Sequence, residues 1–133
     1  MNVVLIAQTA GTANTLERTK LALIDTRAPV LRVVRIRRDA NDRPLVYEEV
    51  VLPLDRLPGM ARDDDVTFDI FELAQRHGHS LGRVTERISS VRATGDIALH
   101  LAIAPTTDVV KLDRVIETID GQPIEWCVAF CNR

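Results

Sequence analysis

The apolar positions of this chain change period along its length, and each change marks an element. A short apolar run from Val3 to Thr9 predicts a first strand. Leu16, Leu21 and Leu23 then follow Asn14, a good N-cap, and predict a helix from Asn14 to about Leu23. The stretch "VVRIRRDANDRPLVYEEVVLP", Val33 to Pro53, reads as two strands joined by a tight turn. "LDRLPGMARDDD" interrupts the pattern with proline, glycine and an acidic run, as a loop does. "VTFDIFELAQRHG" predicts a helix from Thr67 or Phe68 to His77, closed by Gly78, and a strand from about Arg83 to Arg92 follows.

The pattern then begins again. "TGDIALHLAI" predicts a short helix, and "VVKLDRVIETIDGQPIEWCVAFCNR" a second hairpin about Asp120-Gly121, a strong hairpin signal. Leu21-Ala22-Leu23 matches Leu101-Ala102-Ile103 at an offset of 80, while Arg35 matches Arg114, and Pro44 matches Pro123, at an offset of 79. Two strand-helix-hairpin repeats therefore make up nearly the whole chain. The hairpin links are too short for parallel crossovers, so the expected fold class is α+β, a largely antiparallel sheet with helices on one face.

A strand lying on a core alternates apolar and polar residues cleanly. The first hairpin instead carries charge on both faces, with Arg35, Arg37 and Arg38 on one arm and Glu48-Glu49 on the other. Counting outward from a turn centred on Asn41-Asp42 places Arg37 opposite Val46 and Arg35 opposite Glu48. The same count about Asp120-Gly121 places Arg114 opposite Cys127 and Ile116 opposite Glu125. Arg35, Arg37 and Glu48 then share a face in one repeat, and Arg114, Glu125, Cys127 and Cys131 share a face in the other. Opposed unlike charges on an open sheet gain only ~0.2–1 kcal/mol, so stability is a weak reason for this arrangement. A pocket between the two hairpins is a stronger one.

Composition narrows the function classes. A chain of 133 residues is one domain by length, and such a domain buries roughly two thirds of its unfolded surface. With 46% apolar and 27% charged residues, disordered and fibrous classes are excluded. No apolar run approaches the ~20 residues that cross a bilayer, and "MNVVLIA" lacks the basic start of a secretory signal. The expectation is a cytoplasmic chain without a membrane partner. A net charge of −2 argues against a nucleic-acid surface of its own. Cys127 and Cys131, four apart on one strand, would stand about 13 Å apart, too far for a disulfide.

The segments "RIRRDANDRPLVYEEVVLP" and "LPGM", then "ATGDIALHLAIAPTTDVVKLDR" and "VKLDRVIETIDGQPIEWCVAFCNR", taken in order, resemble the UTRA domain. That domain is the effector-sensing half of bacterial transcription regulators of the GntR superfamily, and the resemblance covers essentially the full chain. It implies a fold shared with chorismate lyase and a single effector-binding domain over residues 1–133. It also implies a homodimer without a cofactor, which meets DNA only through a winged helix-turn-helix domain that normally precedes it and is absent here. Family members that bind phosphosugars use, as the resemblance implies, arginines matching Arg35 and Arg37 and glutamates matching Glu48 and Glu125. They add a serine at the start of the middle helix and a tyrosine late in the last strand, where this chain has Asp69 and Cys131. Asp69 brings negative charge to a helix end that otherwise attracts anions. The expected effector is therefore non-phosphorylated, with a carboxylate in the fork of Arg35 and Arg37 as the candidate anion. The expected ligand-binding set is Arg35, Arg37, Glu48, Asp69, Glu125 and Cys131.

Blander readings stand beside these. The charged strand face can be a solvated surface, Asp69 can simply stabilise its helix, and Cys127 and Cys131 suit small buried hydrophobes better than nucleophiles. His77 and His79 lack a clear third metal ligand, and Asp63-Asp64-Asp65 lacks the spacing of a calcium loop. Trp126 and Phe130 fall on the face opposite Glu125, as core or dimer-interface anchors. Three functions are weighed: an effector domain, an enzyme on the chorismate-lyase-like scaffold in which a glutamate moves a proton, and an oligomerisation module. The first, non-enzymatic, is the expected one.

Overall fold

The computed structural model describes residues 2–58 and 69–132. The acidic run Asp63-Asp64-Asp65 and the helix start expected at Thr67 or Phe68 lie outside them. The elements run β1 (Asn2–Thr12), α1 (Thr15–Leu21), β2 (Pro29–Arg38), β3 (Pro44–Pro53), α2 (Ile70–Arg76), β4 (Leu81–Arg92), α3 (Gly95–Leu101), β5 (Asp108–Thr118) and β6 (Pro123–Cys131). Asn14 caps α1 as expected: its side chain accepts from the Glu17 N–H, and Glu17 returns the bond to the Asn14 N–H, a full capping box. The repeat extends to the helix ends, where Ala22 and Ala102, 80 positions apart, close α1 and α3 in the left-handed region (φ 51° and 54°). No helix among the described residues is long and apolar enough to cross a membrane.

All strand pairs are antiparallel, in the order β1-β2-β3-β6-β5-β4. The two repeats meet at β3 and β6 about a local pseudo-twofold that passes between the paired residues Glu49 and Val128. Arg35 lies opposite Glu48, and Arg114 opposite Cys127, the register counted from the sequence. The turns themselves are one residue longer than that count assumes. Asp39 receives the Asp42 N–H and donates its own N–H to Arg43, its carboxylate accepts from the Asn41 and Arg43 N–H groups, and Asp42 takes φ 63°. Gly121 takes the matching position at φ 80° in the second turn. A bulge after Arg37, and its counterpart after Ile116, absorbs the extra residue and restores the register.

One expectation needs correction: the helices do not all lie on one face. α1 and α3 do, with Leu21 against Val30 and Val51, and Ile97, Ala98 and Leu101 against Ile36, Tyr47 and Phe130. α2, outside the repeat, packs Ile70, Leu73 and Ala74 on the other face against Leu31, Val33, Val50, Leu52 and Ile116. The cause is visible in the strands. Val30-Leu31 and Val50-Val51-Leu52 are consecutive apolar residues, so both sheet faces need cover. α2 covers part of its face, and further along β2 and β3 that same face carries Arg35, Arg37 and Glu48.

Candidate functional site

Where the cover of α2 ends, a cavity of about 180 Å³ opens on the sheet. Arg37, Glu48, Glu86, Arg114 and Cys131 form its charged and polar lining, and Val46, Leu112 and Ala129 its apolar surface. These side chains come from β2, β3, β4, β5 and β6, and each faces the cavity because strand parity puts it on the α2 side.

Glu48 is the hub. Its Oε1 accepts from Arg35 Nε at 2.9 Å and from Arg37 Nε at 2.7 Å, and its Oε2 from the Cys127 thiol at 3.6 Å. Arg35 and Glu48 are 2% and 5% exposed, so this is a buried cluster rather than a surface pair. Burial pushes the Glu48 carboxyl up, but the charges and hydrogen bonds of Arg35 and Arg37 outweigh it and hold the group below the usual carboxylate range. Arg37 spends only its Nε on Glu48; its terminal nitrogens make no hydrogen bond among the described residues.

The second carboxylate is set differently. Glu125, fully buried, accepts from Arg114 Nη2 at 3.1 Å through Oε1, while its Oε2 and the Arg114 Nε have no hydrogen-bond partner among the described residues. Burial raises the Glu125 pKa despite the charges of Arg114 and Arg35. The site thus pairs one firmly ionised carboxylate with one whose ionised form is penalised.

Of the expected set, Arg37, Glu48 and Cys131 stand on the cavity wall, Cys131 opposite Val46, while Arg35 is held on Glu48 and Glu125 on Arg114 without lining the cavity. Burial, and then Glu48 and Glu86, raise the Cys131 thiol pKa, which disfavours a thiolate there. Asp69 stands elsewhere. It is exposed at the N-cap of α2, one residue before the helix instead of within it, and its carboxylate accepts from the Phe71 N–H at 2.9 Å. Three neighbours were missing from the predicted set: Arg114, Cys127 and Glu86. The first two were legible as face partners in the second hairpin. Glu86 was not, because β4 reaches β5 through α3 and no turn fixes its register opposite Arg114.

A larger cavity, of about 340 Å³, lies on the opposite sheet face beside α1, against Val34, Glu49, Val51, Trp126 and Val128. Its Arg32 is already closed on Glu17 by two bonds of 2.8 and 2.7 Å, so it has less unspent polar chemistry to offer. His79 Nε2 is tied to the Arg56 carbonyl at 2.7 Å. Among the described residues no group of three His, Cys, Asp or Glu side chains could hold a metal ion.

A buried ion cluster beneath a small cavity, on an antiparallel sheet flanked by helices, defines a small-molecule-binding α+β domain. The UTRA domain family model matches residues 3–133, and the chain belongs to that family. It is thus a ligand-sensing regulatory domain of the kind found in GntR-family regulators. Solved structures share the fold. A GntR-family transcriptional regulator from Enterococcus faecalis V583 is 24% identical with a TM-score of 0.88, over 98% of this chain and 92% of that one. PhnF from Mycobacterium smegmatis is 23% identical with a TM-score of 0.89 over 98% of this chain, which spans only 57% of that protein. The ligand-binding domain of a regulator assigned to the GntR family, from Bordetella bronchiseptica, is 20% identical with a TM-score of 0.84, over 98% and 83% of the two chains. None of the curated proteins matches.

Proposed function

We propose that this domain binds a small, non-phosphorylated carboxylate in the cavity under Arg37 and Glu48, and that binding, without turnover, controls a DNA-binding domain outside this chain. One observation carries the reading: a buried Arg35–Glu48–Arg37 cluster ends in a cavity with Arg37 terminal nitrogens unspent. A guanidinium fork matches a carboxylate in two parallel hydrogen bonds. A phosphate dianion is disfavoured, since Glu48 already takes Arg35 and Arg37 and the cavity wall carries a second carboxylate, Glu86. Arg37, Glu48 and Cys131, which line the cavity, are the proposed contacts; Arg35 and Glu125, buried beside it, act by holding Glu48 and Arg114, and Asp69 only through the charge it holds at the α2 end. The effector shifts the domain between two arrangements in proportion to its differential affinity for them.

The domain works as a cytoplasmic homodimer in this reading, since paired half-sites on DNA call for paired readers. Support comes from β1, an edge strand with no charged residue that leaves Val4, Leu5 and Ile6 exposed, an edge unprotected against pairing with another chain. A thermal-shift series tests the ligand class. A carboxylate at about 100 times its Kd should add about 2.7 kcal/mol of stability, a rise of several degrees, while a sugar phosphate should leave Tm unchanged. A clear rise with the sugar phosphate alone would refute the reading, and conversion of chorismate to 4-hydroxybenzoate and pyruvate would replace it with an enzyme.

A further inference from the structure

The cavity carries a second unspent charge, at its other corner. Glu86 lies on β4 directly opposite Arg114, yet Arg114 turns its guanidinium to Glu125, and Glu86 accepts no hydrogen bond among the described residues. Arg37 on β2 and Glu86 on β4 are separated by β3, β6 and β5. At about 4.8 Å per strand their Cα atoms are about 19 Å apart across the sheet before any offset along it, so only their side chains approach the shared cavity. Between them the lining is apolar: Val46, Ala129 and Leu112, one each from β3, β6 and β5. The cavity is therefore bipolar, with a free cationic fork at one end, a free carboxylate at the other and an aliphatic strip between.

The geometry points to an extended ω-amino acid as the effector class, with its carboxylate on Arg37, its methylene chain over Val46, Ala129 and Leu112, and its ammonium at Glu86. This rests on the carboxylate reading above and adds the cationic end and the spacing. An α-amino acid, whose charges are adjacent, cannot reach both corners. A plain fatty acid offers Glu86 no cation, and so gains nothing at that corner. A net-neutral ligand also adds no net charge beside Glu48 and Glu86.

The test compares 6-aminohexanoate, hexanoate, glycine and glucosamine 6-phosphate by calorimetric titration against the wild-type chain and Glu86→Gln. Glu86 is exposed and makes no side-chain bond among the described residues, so the variant should fold as wild type, which an unchanged Tm would verify. The expected result is 6-aminohexanoate binding about two- to fivefold tighter than hexanoate, as an ion pair with an exposed carboxylate gives, with the gap closed in Glu86→Gln and hexanoate affinity unchanged. Equal affinities in the wild type, a gap that persists in Glu86→Gln, or tighter binding of glycine would overturn the inference while leaving the carboxylate site standing. Binding of glucosamine 6-phosphate with neither hexanoate nor 6-aminohexanoate bound, or no binding at all, would remove both.

Discussion

Replacing Glu48 by alanine removes the acceptor that Arg35 and Arg37 share. Arg37 is partly exposed and can rehydrate, so its loss counts for little. Arg35 cannot: at 2% exposure it would keep its charge in the sheet without the carboxylate that accepts its Nε–H. Breaking a buried pair by removing one partner costs about 3–5 kcal/mol, and the Cys127 thiol loses its acceptor as well. A domain of this size has about 5–15 kcal/mol in total, so Glu48→Ala should fold but sit near the edge. Glu48→Gln, which keeps an acceptor and loses the charge, should cost about 1.5–3 kcal/mol. Urea unfolding at pH 7, followed by the fluorescence of the single tryptophan, Trp126, reads both, and an unchanged m-value would confirm that the unfolded surface is the same. The pH dependence separates this from mere packing loss. The Glu48 pKa is lower in the folded state, so its stabilisation is present above the unfolded value of about 4.3 and disappears as pH falls through the folded value. Glu48→Ala should lack that acid limb. A loss under about 1 kcal/mol at pH 7, the range of an exposed ion pair, would refute the claim that the cluster is buried and coupled.

Three further changes probe the rest of the frame. Glu125 has the opposite sign: its pKa is higher in the folded state, so stability falls as pH rises from the unfolded carboxylate value through the folded one. Glu125→Gln should flatten that slope in urea titrations taken upward in pH from the unfolded carboxylate value of about 4.3, and an unchanged slope would mean that Glu125 is not the group responsible. Asn14→Ala removes the capping box of α1 and should lower stability by about 0.5–2 kcal/mol, read as a fall in Tm. Gly121→Ala puts a Cβ on a residue at φ 80° and should cost about 1–2 kcal/mol by the same measurement, with no effect on ligand affinity, since the turn lies away from the cavity.

The parts of the fold set by local signals were legible in the sequence. Hairpin register follows from turn position, and a two-residue count succeeded at Arg35–Glu48 even though the real turn has one more residue, because the bulge after Arg37 cancels the error. Asn14 and Gly78 marked helix ends through their own chemistry, and both were placed correctly. Distant packing was not legible. Nothing local says that α2 lies on the face opposite α1 and α3, though the double-sided apolar runs of β2 and β3 show in retrospect that a second cover was needed. Glu86 escaped for the same reason, since its neighbour across the sheet is joined to it only through a helix. Asp69 was identified as a helix-end acid, and its position at the N-cap gives its carboxylate a local partner that sequence spacing could not weigh against a ligand.

The site owes its chemistry to places where the two repeats differ. The pseudo-twofold relates Arg35 to Arg114, so each repeat delivers one guanidinium toward the common hollow from its own side. It does not relate the two glutamates to each other: the counterpart of Glu48 is Cys127, and that of Glu125 is Val46. A symmetric duplication with glutamate at both 48 and 127 would set two carboxylates close together at the axis, where each would raise the other's pKa. With cysteine at 127, the thiol instead donates to Glu48 and the second carboxylate moves two residues along β6 to Glu125. Arg37, whose counterpart is Ile116, then supplies a cation at one end only, and Glu86, opposite Arg114 on β4, has as its counterpart Leu5, opposite Arg35 on β1, so the anion too stands at one end. A hollow built at a twofold axis would by symmetry suit a ligand with identical ends. The divergence of four positions, Arg37, Glu48, Glu86 and Glu125, from their partners gives it a direction, and that direction makes a ligand with two unlike ends the natural occupant.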